Sequence, residues 1–294
     1  MKIKASSLLQ TDNLVSSILK IAASVAAVIV VLILGFLIRE TADVPSRIGV
    51  TSFFFDKTWN PTESQFNLIP MLAGSLLSTL GAVVLAIPTG VVCAVFLHLY
   101  ANNALRFVLR RTLEILGGIP SVVYGFWGLV VLVPLINSWY PPGAGLLAAV
   151  SVLTIMILPT ASLMIDAAFQ AIPRQAIEGV RALGLERWEI LTLCLIPQAR
   201  LGILTATLLS VGRAIGETMA VLMVCGNIVQ FPSSIFDPIR TLTANIALEL
   251  GYAEGNHRSA LYVSGIILLL IIAILIVVIS ICERHHQRAK YDPK

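Results

Sequence analysis

The sequence predicts an all-α membrane protein with six spanning helices. Of its 294 residues, 57% are hydrophobic and only 12% are charged, whereas a soluble domain carries about 25% charged residues. The hydrophobic residues also gather into six long runs, each close to the roughly 20 residues that a helix needs to cross a bilayer core about 30 Å thick. A water-soluble fold of this length would leave much of that apolar surface uncovered.

The six runs follow one another along the chain with few charges inside them. The first is too long and too rich in Val and Leu for a typical cleaved signal, so we expect it to be retained as a span. Prolines and glycines inside the later runs are compatible with membrane helices, because neighbouring helices satisfy the freed backbone groups. The predicted spans are residues 21–38, 68–97, 119–136, 145–165, 201–224 and 260–282. We expect residues 1–294 to form a single transmembrane domain with its core over about 68–282.

Basic residues between the spans predict the orientation, because cytoplasmic loops carry an excess of Lys and Arg. The N-terminal segment, the loops after the second and fourth spans, and the C-terminal tail together hold 14 of the 20 basic residues. The other loops hold five, and Arg213 lies inside the fifth span. We therefore expect both termini in the cytoplasm. No basic stripe is interleaved with aromatic residues, so the net charge of +4 does not indicate a nucleic-acid partner.

Signatures of catalysis and of metal binding are missing from the sequence. It contains no G-x-x-x-x-G-K-[ST] nucleotide-binding loop, and none of its six lysines follows a glycine. The four cysteines are far apart and the four histidines are scattered or lie in the tail, so no Cys/His pattern of a zinc site appears. The sequence therefore predicts neither an enzyme nor a metal protein.

The loop between the fourth and fifth predicted spans, residues 173–197, carries the most informative pattern. It reads PRQAIEGVRALGLERWEILTLCLIP. Gly184 permits a turn between two short helical segments. The second segment places Trp188, Leu191 and Leu195 at helical spacing, which predicts one apolar face and one charged face. On the residues alone, the alternative is an ordinary amphipathic loop lying on the membrane surface.

This loop resembles the EAA loop of ABC importer permeases, whose pattern is E-A-A-x3-G-x9-I-x-L-P. The glutamate, glycine and proline of the pattern match in register, while Gly179 and Val180 stand in place of the two alanines. The isoleucine and leucine near the end of the pattern are replaced by other apolar residues, Cys194 and Ile196. In that family the loop is a coupling helix that sits in a groove of the ATPase subunit. The resemblance assigns ATPase coupling to Glu178, Gly184, Trp188 and Pro197.

Three further blocks resemble the phosphate permeases of this family, in particular the PstC-type subunits. They are FNLIPMLAGSLL at 66–77, IPSVVYGFWGL at 119–129 and GRAIGETMAVLMVCGN at 212–227, and they occur in the expected order. The resemblance covers most of the chain from Phe53 to the sixth span. It implies a type I ABC importer permease (MetI-like) fold in a bacterial inner (plasma) membrane. It also implies a function as the transmembrane permease subunit of an ATP-driven phosphate importer.

The same resemblance implies several partners, because six spans with one coupling loop make half a pathway. They are a PstA-like permease subunit in a heterodimer, two ATP-binding subunits, and a periplasmic or extracellular phosphate-binding protein, all assembled in membrane lipid. ATP would be bound by the partner ATPase, so no cofactor is expected in this chain. On physical grounds alone, a homodimer stays possible.

Two charged residues lie inside the predicted fifth span. Counted from Leu201, Arg213 would lie roughly 18 Å along the helix, near the bilayer centre, where a charge costs at least a few kcal/mol. Glu217 follows four residues later and is expected on the same face. Either the two neutralise each other and join the helices, or Arg213 attracts phosphate in the translocation pathway while Glu217 holds it in place. Ser210 and Thr218 are further candidates for this pathway.

Other functions stay open on the residues. A permease of the same fold could import another oxyanion, such as molybdate, tungstate or sulfate, because a handful of pore residues decides the anion. A proton-coupled secondary transporter could use Arg213 and Glu217 as a relay, but that function leaves the loop 173–197 unexplained. A signalling or assembly subunit that moves no solute is a third class.

Overall fold

The computed structural model describes the backbone of residues 3–291 and the side chains of residues 15–278, 280 and 281. The described chain is a helical bundle with one short hairpin. Its helices are α1 Ile3–Thr41, α2 Val44–Arg47, α3 Ser52–Phe55, α4 Ile69–Val95, α5 Asn103–Gly118, α6 Ser121–Trp127, α7 Val133–Asn137, α8 Leu146–Gln170, α9 Arg174–Ala182, α10 Arg187–Ile190, α11 Ile196–Ile215, α12 Met219–Val224, α13 Leu242–Glu249 and α14 Gly255–Tyr291. The strands β1 Trp59–Asn60 and β2 Gln65–Phe66 precede α4 and pair antiparallel, with Trp59 opposite Phe66.

The prediction of a six-span, all-α membrane protein is confirmed. Five stretches of the described chain are long and apolar enough to cross a membrane, and they are Val15–Arg47, Ile69–Tyr100, Leu146–Gln170, Arg187–Ile215 and Gly255–Val278. The sixth is formed when α5 and the following Ser121–Asn137 stretch are counted as one span with a 91° bend. The predicted third span, 119–136, matches the part of this pair after the bend.

The centre of the bundle is the contact between α4 and α8, which is built on small residues. A Cβ atom on Gly81 would lie 2.7 Å from Val150 Cγ2, and one on Gly90 would lie 3.4 Å from the backbone nitrogen of Ser162. Such residues let two membrane helices approach closely. From the first of these two contacts to the second, the residue number increases on both helices. The helices α4 and α8 therefore run parallel. This is the arrangement expected of the second and fourth spans when a third span returns between them.

The predicted fifth span differs from the structure at both ends. A π-helical turn over Leu191–Leu195 joins α10 to α11, so one helix runs from Arg187 to Ile215. The second helical segment of the loop 173–197 is therefore the beginning of the span. At the other end the helix stops at Ile215 instead of continuing to residue 224, and the short α12 follows after a break.

Four aromatic residues in the first long loop divide between the core and the surface. Phe53 and Trp59 are buried, whereas Phe54 and Phe55 are exposed. The first and last of the four therefore do not contribute to an aromatic belt at a membrane interface. The hairpin explains the difference, because it folds Trp59 edge-on against Phe66 with ring centroids 5.6 Å apart.

A buried ion network closes the end of the bundle opposite the loop 173–197. Glu249 accepts hydrogen bonds from Arg240 Nη1 at 2.6 Å and from the indole nitrogen of Trp59 at 2.8 Å. Its second oxygen also lies 2.8 Å from His257 Nε2. Arg240 in turn donates to the Asn227 carbonyl at 2.9 Å. The network joins the hairpin, the segment before α13, α13 itself and the start of α14.

Candidate translocation site and coupling surface

Arg213 lies in the last turn of α11, and its side chain is exposed on the surface of this single chain. Its Nη1 donates a 2.9 Å hydrogen bond to Thr160 Oγ1 on α8. A guanidinium facing lipid inside a span is costly, so such groups face a protein partner or water. The surface that presents Arg213 is therefore the one most compatible with a second subunit or an aqueous path.

The predicted pairing of Arg213 with Glu217 on one helix face is wrong, because residues 216–218 break the helix. Glu217 Oε1 accepts a 3.1 Å hydrogen bond from the Ala220 backbone nitrogen in the first turn of α12. The first backbone N–H groups of a helix lack helical partners, and a carboxylate satisfies them well. The Glu217 carbonyl accepts a further bond from the Thr243 hydroxyl at 2.9 Å. Both contacts hold the break in place.

The two hydroxyl candidates take different positions. Ser210 is buried, and its hydroxyl donates to the Ala206 carbonyl at 2.7 Å. In this conformation it does not share the exposed face of Arg213. Thr218 lies in the break itself and is half-buried, with its hydroxyl 3.4 Å from the Gly216 carbonyl.

Thr160 is the residue at this site that sequence reasoning missed. It follows Pro159 inside α8 and lines a cavity of about 470 Å³ together with Glu114 and Gly117 of α5. A second cavity of about 300 Å³ lies between α6 and α8 and is lined by Tyr124, among others. In an apolar helix a threonine hydroxyl commonly bonds its own preceding turn. The sequence therefore held no signal that Thr160 meets Arg213.

The loop 173–197 folds as two helical segments around a turn, as predicted. Gly184 has φ +78°, in the left-handed region that favours glycine. After it, Glu186 and Glu189 form a capping box that starts α10. Glu178 is exposed on α9, and Pro197 is exposed near the start of α11.

The apolar face that helical spacing predicts for Trp188, Leu191 and Leu195 is only partly buried. The side chain of Trp188 is 65% exposed, while Leu191 and Leu195 are buried. Of the three residues, only Leu191 and Leu195 pack into the buried cluster of the bundle. With Leu183 also exposed, this end of the bundle presents an apolar surface of the kind that marks a protein interface.

Neither surface resembles a metal site. Within the described residues, no three His, Cys, Asp or Glu side chains come together as metal ligands would. At the candidate translocation site, the described residues supply one guanidinium, the Thr160 hydroxyl that accepts from it, and the polar backbone of a broken helix.

Residues 86–290 match the sequence profile of a family described as the binding-protein-dependent transport system inner membrane component. The chain belongs to this family. The permease is 34% identical over 248 residues to the phosphate transport system permease protein PstC of Xylella fastidiosa, which covers 77% of this chain and 76% of that protein. It is 37% identical over 272 residues to the probable ABC transporter permease protein YqgH of Bacillus subtilis, covering 90% and 86%. It is 31% identical over 286 residues to PstC of Haemophilus influenzae, covering 90% and 89%. The resemblance to PstC-type permeases is confirmed.

Solved structures confirm the fold of the permease. The inward-facing MetNI methionine ABC transporter superposes with a TM-score of 0.57 at 22% identity, covering 74% of this chain and 93% of that one. A bacterial alginate ABC transporter, solved with its alginate-bound periplasmic protein, gives a TM-score of 0.57 at 14% identity, covering 89% and 94%. The type I ABC importer permease (MetI-like) fold is therefore correct, and the chain is a multi-pass membrane protein.

Proposed function

We propose that this chain is the transmembrane permease subunit of an ATP-driven phosphate importer. In this function it forms half of the translocation pathway and couples to a separate ATPase. The observation that carries the proposal is Arg213, a guanidinium exposed at the end of a span and oriented by Thr160. A guanidinium matches two phosphate oxygens geometrically. The PstC relatives support phosphate as the anion.

The pathway has to pass phosphate on without trapping it, which limits how many cations it carries. In this chain Arg213 supplies one charge, and the proposed partner subunit supplies the facing wall. The chain performs no catalysis of its own, and ATP binds to the partner subunits. High-affinity selection belongs to a binding protein outside the membrane, which delivers the anion.

The proposed assembly is a heterodimer with a PstA-like permease, two ATP-binding subunits and a phosphate-binding protein. The whole chain acts as one permease domain with its core at about 68–282. Both termini and the loop 173–197 are cytoplasmic, in agreement with the distribution of Lys and Arg. The buried network around Glu249 then lies on the outer side, where the binding protein docks.

The function is tested by labelled-phosphate uptake in cells that lack this chain. The native chain should restore uptake that depends on ATP and persists when an uncoupler collapses the proton gradient. Unlabelled sulfate and molybdate should not compete. Competition by molybdate or sulfate would reassign the anion, and uptake that collapses with the proton gradient would contradict the ATP-driven mechanism.

Replacing Thr160 with valine should lower phosphate uptake by about tenfold or more, because a hydrogen bond to a charged group contributes about 1.5–3 kcal/mol. The change keeps the shape of the side chain and removes the acceptor that orients Arg213. Thr160→Ser should restore uptake. The matched control is Thr154→Val on the same helix, whose hydroxyl bonds the Val150 carbonyl at 2.7 Å. Equal losses in the two valine variants would show that Thr160 serves the helix and not Arg213.

Trp188→Ala should weaken the association of the permease with its ATPase by about 30-fold, since truncating an aromatic hot spot costs about 2 kcal/mol or more. The measurement is the affinity of the detergent-purified ATPase subunit for the permease. The matched control is Trp139→Ala, whose indole is 77% exposed in the loop before α8, on the other side of the bundle. A loss of the same size in the control would remove Trp188 from the coupling surface.

A further inference from the structure

A charged cavity lies at the end of the bundle that carries the loop 173–197, and Arg213 is not part of its lining. It has a volume of about 490 Å³ and lies between α5, the end of α8 and α9. Its charged lining comprises Arg106, Arg110, Arg174, Arg181, Asp166 and Glu178. Four guanidinium groups therefore face two carboxylates.

Only part of this positive charge is balanced. Arg106 is committed to the backbone, since it donates to the Leu97 carbonyl at 2.7 Å and to two neighbouring carbonyls. Arg110 approaches the buried Asp166 to 3.7 Å, a loose ion pair, and lies at the same distance from Glu114. Asp166 receives its close hydrogen bond, 2.6 Å, from Gln170 instead. Arg110 therefore lines the cavity with no ion pair closer than 3.7 Å among the described residues.

Among the described side chains, the guanidinium groups contributed by α9 have no ion-pair partner. Of the described side chains, none comes within ion-pair distance of Arg174 or Arg181, although Glu178 lies between them on the same helix. The wall formed by α9 thus presents two cations that no described carboxylate pairs with, and Arg110 lines the same cavity. An anion between them would join α9 to the rest of the bundle.

The helix α5 gives this cavity an amphipathic wall. It meets the following Ser121–Asn137 stretch at 91°, so the two do not form one straight span. Its apolar residues Phe107, Val108 and Ile115 are exposed, whereas Arg106 and Arg110 line the cavity. An amphipathic helix of this kind lies at the level of the lipid head groups. Basic pockets between spans at this depth bind phosphate-bearing head groups.

We propose that this cavity binds a phosphate group, which bridges Arg110 to Arg174 and Arg181. The bound group fixes α9 against α5 and α8. The group is either the phosphodiester of an anionic lipid or inorganic phosphate on the cytoplasmic side. Guanidinium groups recognise both through paired N–H···O bonds. The cytoplasmic placement rests on the proposed function, whereas the binding itself does not. The occupant sets how firmly α9 is held where the ATPase engages it.

The experiment measures hydrogen exchange of α9, residues 174–182, in the complete importer reconstituted in nanodiscs. Four conditions are compared. Three use phosphatidylcholine nanodiscs, with no added anion, with inorganic phosphate, or with sulfate as the control anion. The fourth uses nanodiscs of equal parts phosphatidylcholine and phosphatidylglycerol. Protection of α9 by phosphatidylglycerol identifies the lipid as the source, and protection by inorganic phosphate identifies the free anion. Unchanged exchange in every mixture overturns the proposal.

The variants assign the effect to the cavity. Arg110→Gln should abolish the protection, whereas Arg111→Gln should keep it, because Arg111 is exposed and lies over the Phe107 ring outside the cavity. Arg181→Gln removes an exposed cation without disturbing Asp166, so it tests the site if Arg110→Gln destabilises the fold. Protection should survive in Arg213→Ala, which separates this site from the translocation pathway. Equal loss of protection in Arg110→Gln and Arg111→Gln would refute the proposal that phosphate binds in this cavity.

Discussion

Arg213→Ala should lower the rate of phosphate uptake by about 10- to 100-fold, the equivalent of losing a charge-assisted hydrogen bond of about 1.5–3 kcal/mol. The permease then lacks the guanidinium that α11 presents on its exposed face. Arg213→Lys keeps the charge but not the planar fork, so it should recover only part of the rate. The measurement is initial uptake of labelled phosphate by cells that carry equal amounts of each variant.

The control for Arg213→Ala is Arg258→Ala. Arg258 is also exposed, and its guanidinium bonds only the Tyr262 hydroxyl, at 3.1 Å, among the contacts of the described side chains. Uptake should stay near the native rate in this variant. Native uptake in Arg213→Ala would show that the arginine merely supports the structure, and phosphate would have to be recognised elsewhere.

The spans could be read from the sequence because a bilayer leaves the backbone few choices. A chain in hydrocarbon has to satisfy every N–H and C=O internally, so a long apolar run becomes a helix. The predicted fourth span, 145–165, begins within one residue of α8, which spans Leu146–Gln170. The predicted second span, 68–97, likewise matches α4 and its π-helical extension to Tyr100.

The break after α11 could not be read from hydropathy. The sequence there contains no proline, and one glycine is tolerated inside a membrane helix, so the apolar run continues to residue 224. The break instead depends on contacts that form only in the folded bundle. Glu217 caps the first turn of α12, and Thr243 of α13 bonds its carbonyl. Thr243, which is distant in sequence, therefore helps to fix the end of α11, close to Arg213.

The amphipathic helix α5 was missed for a different reason. Its charges made residues 103–118 look like an ordinary connecting loop between two apolar runs. The local signals were nevertheless present, since Asn102 caps the helix by accepting a bond from the Leu105 nitrogen, and Arg110 and Glu114 stand four residues apart. A search for long apolar windows alone overlooks amphipathic helices such as α5.

Glu249→Ala should destabilise the folded permease by about 3–5 kcal/mol, because it leaves the buried guanidinium of Arg240 without its counter-charge. The side chain of Arg240 is only 18% exposed, and the nitrogens of Trp59 and His257 lose the same acceptor. The measurement is the unfolding midpoint of the purified chain in detergent. Glu254→Ala, an exposed glutamate five residues later, is the control and should leave the midpoint unchanged.

The double variant Arg240→Met with Glu249→Leu decides whether the ion pair or the packing holds this end of the bundle together. Removing both charges avoids the uncompensated guanidinium, so the pair should be less destabilising than Glu249→Ala alone, a non-additive result typical of residues in contact. The loss of stability that remains in the double variant would measure the hydrogen bonds of Arg240 to the Asn227 carbonyl and of Trp59 to Glu249. If the double variant is instead as unstable as the sum of its single changes, the two side chains act independently. The network would then be a set of separate contacts, and this end of the bundle would flex at any one of them without releasing the others.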